Sequence, residues 1–122
     1  MLVVDYVALV EKTNDRLNDR EQIRLVTQGL KKLSKELDVP VIAACQMNRE
    51  TDKLEVPKLS NLADSSSVEQ DSDIVIFLHR RNPADVETEF IIAKHRHGMQ
   101  SSETIQLNTV TMLFEQETDW EP

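Results

Sequence analysis

Two nearly continuous apolar runs, "LVVDYVAL" at residues 2–9 and "VPVIAAC" at residues 39–45, flank one long amphipathic stretch. Neither run alternates apolar with polar residues, so each reads as a strand covered on both faces of a sheet. Between them, Ile23, Val26, Leu30, Leu33 and Leu37 recur at spacings of three and four. That spacing draws a single apolar stripe along a helix of about five turns. Asn18 followed by Glu21 has the form of a capping box, with Asn in place of Ser or Thr, and Asp38 and Pro40 mark the other end. Gly29 inside the stripe costs about 1 kcal/mol relative to alanine. A strand, a crossover helix and a second strand make a βαβ unit, which is right-handed and sets a parallel pair.

Downstream the pattern changes. Residues 47–63 form a polar loop containing Pro57. Loops of that length without structure of their own are usually functional or mobile. "SSSVEQDSD" reads as a short helix opened by serine, and "DIVIFLHR" as a third strand. "RRNPADVE" is a turn signal. "TEFIIAKHR" and "ETIQLN", separated by "HGMQSS", read as an antiparallel hairpin, and "TVTMLFEQ" as a last strand.

At 122 residues the chain is most simply one domain, long enough to bury a core. With 39% hydrophobic and 30% charged residues it has a globular mix, and only 4% aromatics, so the core is mainly aliphatic. No apolar run is long enough to cross a bilayer and no signal-peptide pattern opens the chain. Cys45 is the one cysteine, which excludes an internal disulfide and fits a reducing compartment. The formal net charge of −8 argues against strong generic binding to nucleic acid. Yet His79, Arg80, Arg81, Lys94, His95, Arg96 and His97 cluster in one stretch, a local basic edge on an acidic body.

Asp5 lies toward the carboxyl side of the first apolar run. Ligands of open α/β sheets bind beyond the carboxyl ends of strands, and an aspartate there reaches a magnesium ion, usually through water. The plain alternative is a strand simply surfacing at Asp5. No G-x-x-x-x-G-K-[ST] phosphate loop accompanies it: the nearest imitation, "GLKKLSKE" from Gly29, falls inside the helix, where backbone N–H groups are already engaged. Gln46 and Asn48 follow the second strand, where an amide can sense a phosphate or orient a water, or simply meet solvent. Lys94 and Arg96 alternate on a strand and so share a face. Such a pair can clamp phosphate oxygens, or can be the charged guard of an edge strand. His95 and His97 form an H-x-H too sparse for a metal centre without further ligands. No G-x-S-x-G elbow supports serine-hydrolase chemistry.

Taken in order, these stretches resemble the C-terminal half of the motor domain of DnaB-type replicative DNA helicases. "LVVDY" resembles that family's magnesium-coordinating strand. "LKKLSKELDVPVIAACQMNRE" resembles its crossover helix and the next strand, which ends in a phosphate-sensing glutamine. "LSNLADSSSVEQDSDIVIFLHR" resembles its D-L-R-E-S-G-x-I-E-Q-D-A-D segment, and "IIAKHRHG" the segment carrying its intersubunit lysine and arginine finger. The resemblance implies an α/β, partial RecA-like (P-loop NTPase) sheet with a parallel core and a C-terminal antiparallel portion. It also implies that Asp5 holds Mg²⁺ through water, that Gln46 couples the state of the γ-phosphate to DNA-binding loops, and that Lys94 and Arg96 reach into a neighbouring subunit's ATP site. The family's DNA-contacting Arg-Glu-x-Gly falls on Ala63, Asp64, Ser65 and Ser66, where the arginine is missing and the acid is kept. The following helix can still offer backbone N–H groups to a phosphate.

The expected function is therefore that of part of an ATP-dependent replicative helicase acting on single-stranded DNA in the cytoplasm of a bacterium or phage-infected cell, assembled as a ring hexamer. The family's phosphate loop and catalytic glutamate precede its magnesium-binding strand. The 122-residue chain alone is accordingly expected to be inactive, to hold ATP and Mg²⁺ weakly, and to associate as a dimer or larger oligomer through an unpaired sheet edge. Two alternatives stand beside this reading: a non-enzymatic module that docks onto a ring ATPase, and part of a recombinase motor. The "EQDSD" segment favours the helicase.

Overall fold

The structure, a computed structural model, describes residues 1–10, 17–47, 56–62, 65–82 and 84–115, with backbone alone at residues 65 and 66. Its contacts gather into two compact units, Met1–Leu54 with Lys58–Ser72, and Glu55–Pro57 with Asp73–Pro122.

The first unit contains the βαβ element. Strand β1 (Leu2–Val4) and strand β2 (Val41–Ala43) run parallel, with Leu2 opposite Val41, Val3 opposite Ile42 and Val4 opposite Ala43. Between them runs helix α1 (Asp19–Leu37). Its capping box is complete: the Glu21 backbone N–H donates to Asn18 Oδ1 at 2.9 Å, and the Asn18 N–H donates to Glu21 Oε2 at 3.2 Å. Asp38 ends the helix in the left-handed conformation at φ 50°. A one-turn 3₁₀ segment at Leu59–Asn61 leads toward helix α2 (Ser65–Asp71). The two helices are tied by Thr27, whose Oγ1 lies 3.0 Å from Asp71 Oδ2. Val7, Ile23 and Leu62 are the buried apolar residues of this unit.

The first two strands are not covered on both faces. Val3 and Ile42, which face each other across the ladder, are 59% and 55% exposed. A sheet of two three-residue strands has a helix packed against it, and the opposite face is open among the described residues.

The second unit is a meander. Strands β3 (Ile74–His79), β4 (Glu87–His95), β5 (Ser101–Asn108) and β6 (Leu113–Glu115) pair antiparallel in chain order. "DIVIFLHR" thus forms a strand, but it opens this antiparallel sheet; the parallel sheet of the described residues consists of β1 and β2 alone. Along β3, Val75 and Phe77 are buried while Ile74, Ile76 and Leu78 are about half exposed, the alternation of a sheet covered on one side. The hairpin expected around residues 96–100 joins β4 to β5.

The last strand is shorter than its sequence implies. Asn108 Oδ1 accepts from the backbone N–H of Val110 at 3.0 Å and of Thr111 at 3.1 Å, and the Met112 N–H donates to the Asn108 carbonyl at 2.7 Å. This asparagine turn converts the β-branched "TVTM" into a connection, with Met112 at φ 57°.

Candidate functional site

The register of the parallel pair fixes where Asp5 and Gln46 sit. Val4 pairs with Ala43, the Ala44 N–H donates to the Val4 carbonyl at 2.9 Å, and the Val7 N–H donates to the Ala44 carbonyl at 3.0 Å. Asp5 is the first residue past β1 and Gln46 the third past β2, so both leave the ladder at its carboxyl end. Both side chains are exposed. The Asp5–Tyr6 peptide bond is cis. This is the end at which open α/β sheets receive ligands.

The donor set at this end suits magnesium only in part. Mg²⁺ is held by one or two carboxylates, with water and substrate phosphate supplying the remaining oxygens. Asp5 offers one such carboxylate. Among the described residues there is no group of three His, Cys, Asp or Glu that could form an all-protein cage. Asp5 can thus supply one carboxylate to a magnesium ion whose remaining ligands are water and phosphate oxygens.

Lys94 and Arg96 lie in the second unit. The ladder between β3 and β4 slips between Val75 and Ile76: Ile76 pairs with Ile92 and Val75 with Lys94, which leaves Ala93 without a counterpart. This bulge moves Lys94 to the rung of buried Val75, and Lys94 is itself half-buried. Strand β4 ends at His95, so Arg96 opens the turn. The Arg96 N–H donates to the Asp73 carbonyl at 2.8 Å, extending the ladder by one rung, and Arg96 Nη1 donates to Asp73 Oδ1 at 2.8 Å. Two rungs apart, Lys94 and Arg96 start from the same side of the ribbon.

The turn itself is tight. The His97 N–H donates to His95 Nδ1 at 3.3 Å, and a Cβ placed on Gly98 would lie 2.8 Å from three atoms of the His95 ring. A side chain at position 98 would therefore push the His95 ring aside. Of the DNA-binding candidates, Asp64 lies outside the described residues, and Ser65 and Ser66 form the first turn of α2. Asn48 also lies outside them.

Asp73 is absent from the candidate residues legible in the sequence. In the sequence it is only the last residue of the "EQDSD" segment, with nothing to announce Arg96 as its partner. Its pairing with Arg96 depends on a register containing the Ala93 bulge, and no residue type announces that bulge.

Comparison with known proteins fixes the class. Solved helicase structures share the fold. "ATPase Domain of G40P" is 33% identical, with a TM-score of 0.83 over 92% of this chain and 42% of that one. "The Structure Of A DnaB-Like Replicative Helicase And Its Interactions With Primase" is 34% identical, with a TM-score of 0.80 over 88% of this chain and 27% of that one. The fold is thus that of part of a helicase ATPase domain, with the RecA-like α/β architecture expected from the sequence.

The family model described as "DnaB-like helicase C terminal domain" matches residues 1–117, and the chain belongs to that family. Similar proteins include the replicative DNA helicase DnaB of Leifsonia xyli, 43% identical over 80% of this chain. The replicative DNA helicase DnaC of Bacillus subtilis is 35% identical over 96% of it, and a probable plasmid replicative DNA helicase of Chlamydia psittaci is 34% identical over 93%. The chain spans only 23%, 26% and 26% of the lengths of these three relatives.

Proposed function

We propose that these residues form the part of a replicative helicase motor that completes an ATP site shared between subunits and drives movement on single-stranded DNA. The observation that carries this reading is the common carboxyl end of the parallel pair, from which both Asp5 and Gln46 emerge. Bound Mg²⁺ would neutralise charge on the phosphates, with Asp5 holding its water shell. Gln46, beside it at the same end, hydrogen-bonds the terminal phosphate or the attacking water and registers its loss. Lys94 and Arg96 meet the triphosphate of a neighbouring subunit. Cleavage spreads negative charge over the terminal oxygens, and a planar guanidinium can bond two of them at once. Turnover then requires assembly, and the subunits associate as a ring.

The test is subunit mixing in the complete gene product that carries this chain. Arg96→Ala lowers DNA-stimulated ATP hydrolysis by at least about 1,000-fold, the low end of the range for arginine fingers, and Asp5→Ala lowers it by at least about 100-fold. Mixing the two inactive proteins restores activity, because some junctions pair an intact Asp5 with a neighbour's intact Arg96. Co-assembly without recovered turnover would overturn the shared site.

A further inference from the structure

We infer that Asp73 is a positioning residue for Arg96: it holds the guanidinium at the start of the turn in the pose from which it meets a neighbouring subunit's triphosphate. The inference rests on the role proposed above for Arg96, and it adds a residue to that site.

Asp73 grips Arg96 at two points. The backbone contact at 2.8 Å fixes where Arg96 leaves the ladder. The side-chain contact, also 2.8 Å, fixes where its guanidinium goes. An arginine at the mouth of a turn otherwise samples many rotamers, and each must be given up when the side chain engages a phosphate. A carboxylate that selects one rotamer beforehand removes that cost from the catalytic step.

The geometry allows both partners at once. Asp73 Oδ1 meets Nη1, and a guanidinium presents five N–H donors in one plane, so an edge held by a carboxylate is compatible with another edge meeting phosphate. The two side chains are 44% and 49% exposed. Ion pairs that open to solvent are weak. The contact therefore orients Arg96 without locking it away from a stronger, multiply charged partner. In the neighbouring turn the His95 ring lies over Gly98 and accepts from the His97 N–H at 3.3 Å. Asp73 thus contacts Arg96 both where its backbone leaves the ladder and at its guanidinium.

The experiment is a double-mutant cycle on kcat for DNA-stimulated ATP hydrolysis in the complete gene product, with Asp73→Ala, Asp73→Asn and Asp73→Glu placed in the wild-type and Arg96→Lys backgrounds. Lysine keeps a charge and a measurable rate but lacks the fork. In the wild-type background Asp73→Ala lowers kcat about fivefold, with KM for ATP changed less than twofold. Asp73→Asn, isosteric and safe for folding, lowers it about threefold, and Asp73→Glu restores at least half the rate. In the Arg96→Lys background all three change kcat by less than 1.5-fold. Equal losses in both backgrounds would show that Asp73 acts through the fold alone, and an unchanged kcat for Asp73→Ala and Asp73→Asn would show that it positions nothing. Either result overturns the inference. If Arg96→Ala itself leaves kcat unchanged, the shared-site reading fails first, and this inference with it.

Discussion

Val4 stands directly opposite Ala43 in the β1–β2 ladder, and that one register pair brings Asp5 and Gln46 to the same end of the sheet. Parallel pairing places the carboxyl ends of both strands together, so residues following strands separated by a 19-residue helix reach one end of the sheet. The two residues leave the ladder at the same end yet differ in what they can do. A carboxylate binds a hydrated cation; an amide binds phosphate or water and carries no charge.

On the proposed shared-site reading, that difference predicts separable defects in the complete gene product. Asp5→Ala weakens magnesium-dependent nucleotide binding at least tenfold and lowers turnover with it. Gln46→Ala leaves nucleotide binding within about threefold but removes most of the stimulation by single-stranded DNA. Nucleotide titrations with and without Mg²⁺, beside hydrolysis with and without DNA, separate the two. Identical profiles would break the assignment of roles.

The βαβ unit was legible because its signals are local and redundant: the stripe from Ile23 to Leu37, the Asn18–Glu21 box and the αL stop at Asp38 all point to one helix. Strand partners were less legible. "DIVIFLHR" is apolar enough for a parallel core, yet pairs antiparallel with β4, since a run of apolar residues states burial and not direction. "TVTM" reads as strand by composition and turns because Asn108 captures two backbone N–H groups. Asp5, Gln46, Lys94 and Arg96 stand out as candidates from residue type, order and family resemblance. Asp73 could not, because its partner is set by an unmarked bulge at Ala93.

The capping box predicts a measurable stability term. Asn18→Ala removes the acceptor for the Glu21 N–H and costs about 1 kcal/mol, within the range for such caps. Asn18→Ser restores most of it. Urea denaturation followed by circular dichroism reads the difference, and equal midpoints for Asn18→Ala and the parent would contradict it.

Thr88 offers the opposite sign. It is 2% exposed and its Oγ1 has no hydrogen-bond partner. A buried hydroxyl without a partner is costly, and a methyl of similar shape is not. Thr88→Val therefore stabilises the fold by about 1 kcal/mol, read as a higher denaturation midpoint at unchanged slope. Destabilisation would mean that the hydroxyl is satisfied in solution.

Gly98 provides the last test, of the turn that carries Arg96. In Gly98→Ala the new Cβ meets the His95 ring at 2.8 Å, so the ring must swing and release the His97 N–H. Losing that exposed bond costs about 0.5–1 kcal/mol. Alanine also restricts the unfolded chain, a gain of about 0.4–1 kcal/mol. The two terms nearly cancel, so unfolding free energy moves by under about 1 kcal/mol. The local structure does change: the His95 ring and His97 amide resonances shift in NMR spectra, and a His95→Ala change made beforehand abolishes the effect of Gly98→Ala on the His97 amide. If Gly98→Ala left both resonances in place, the ring would not lie over the glycine, and the turn would owe its shape to something else.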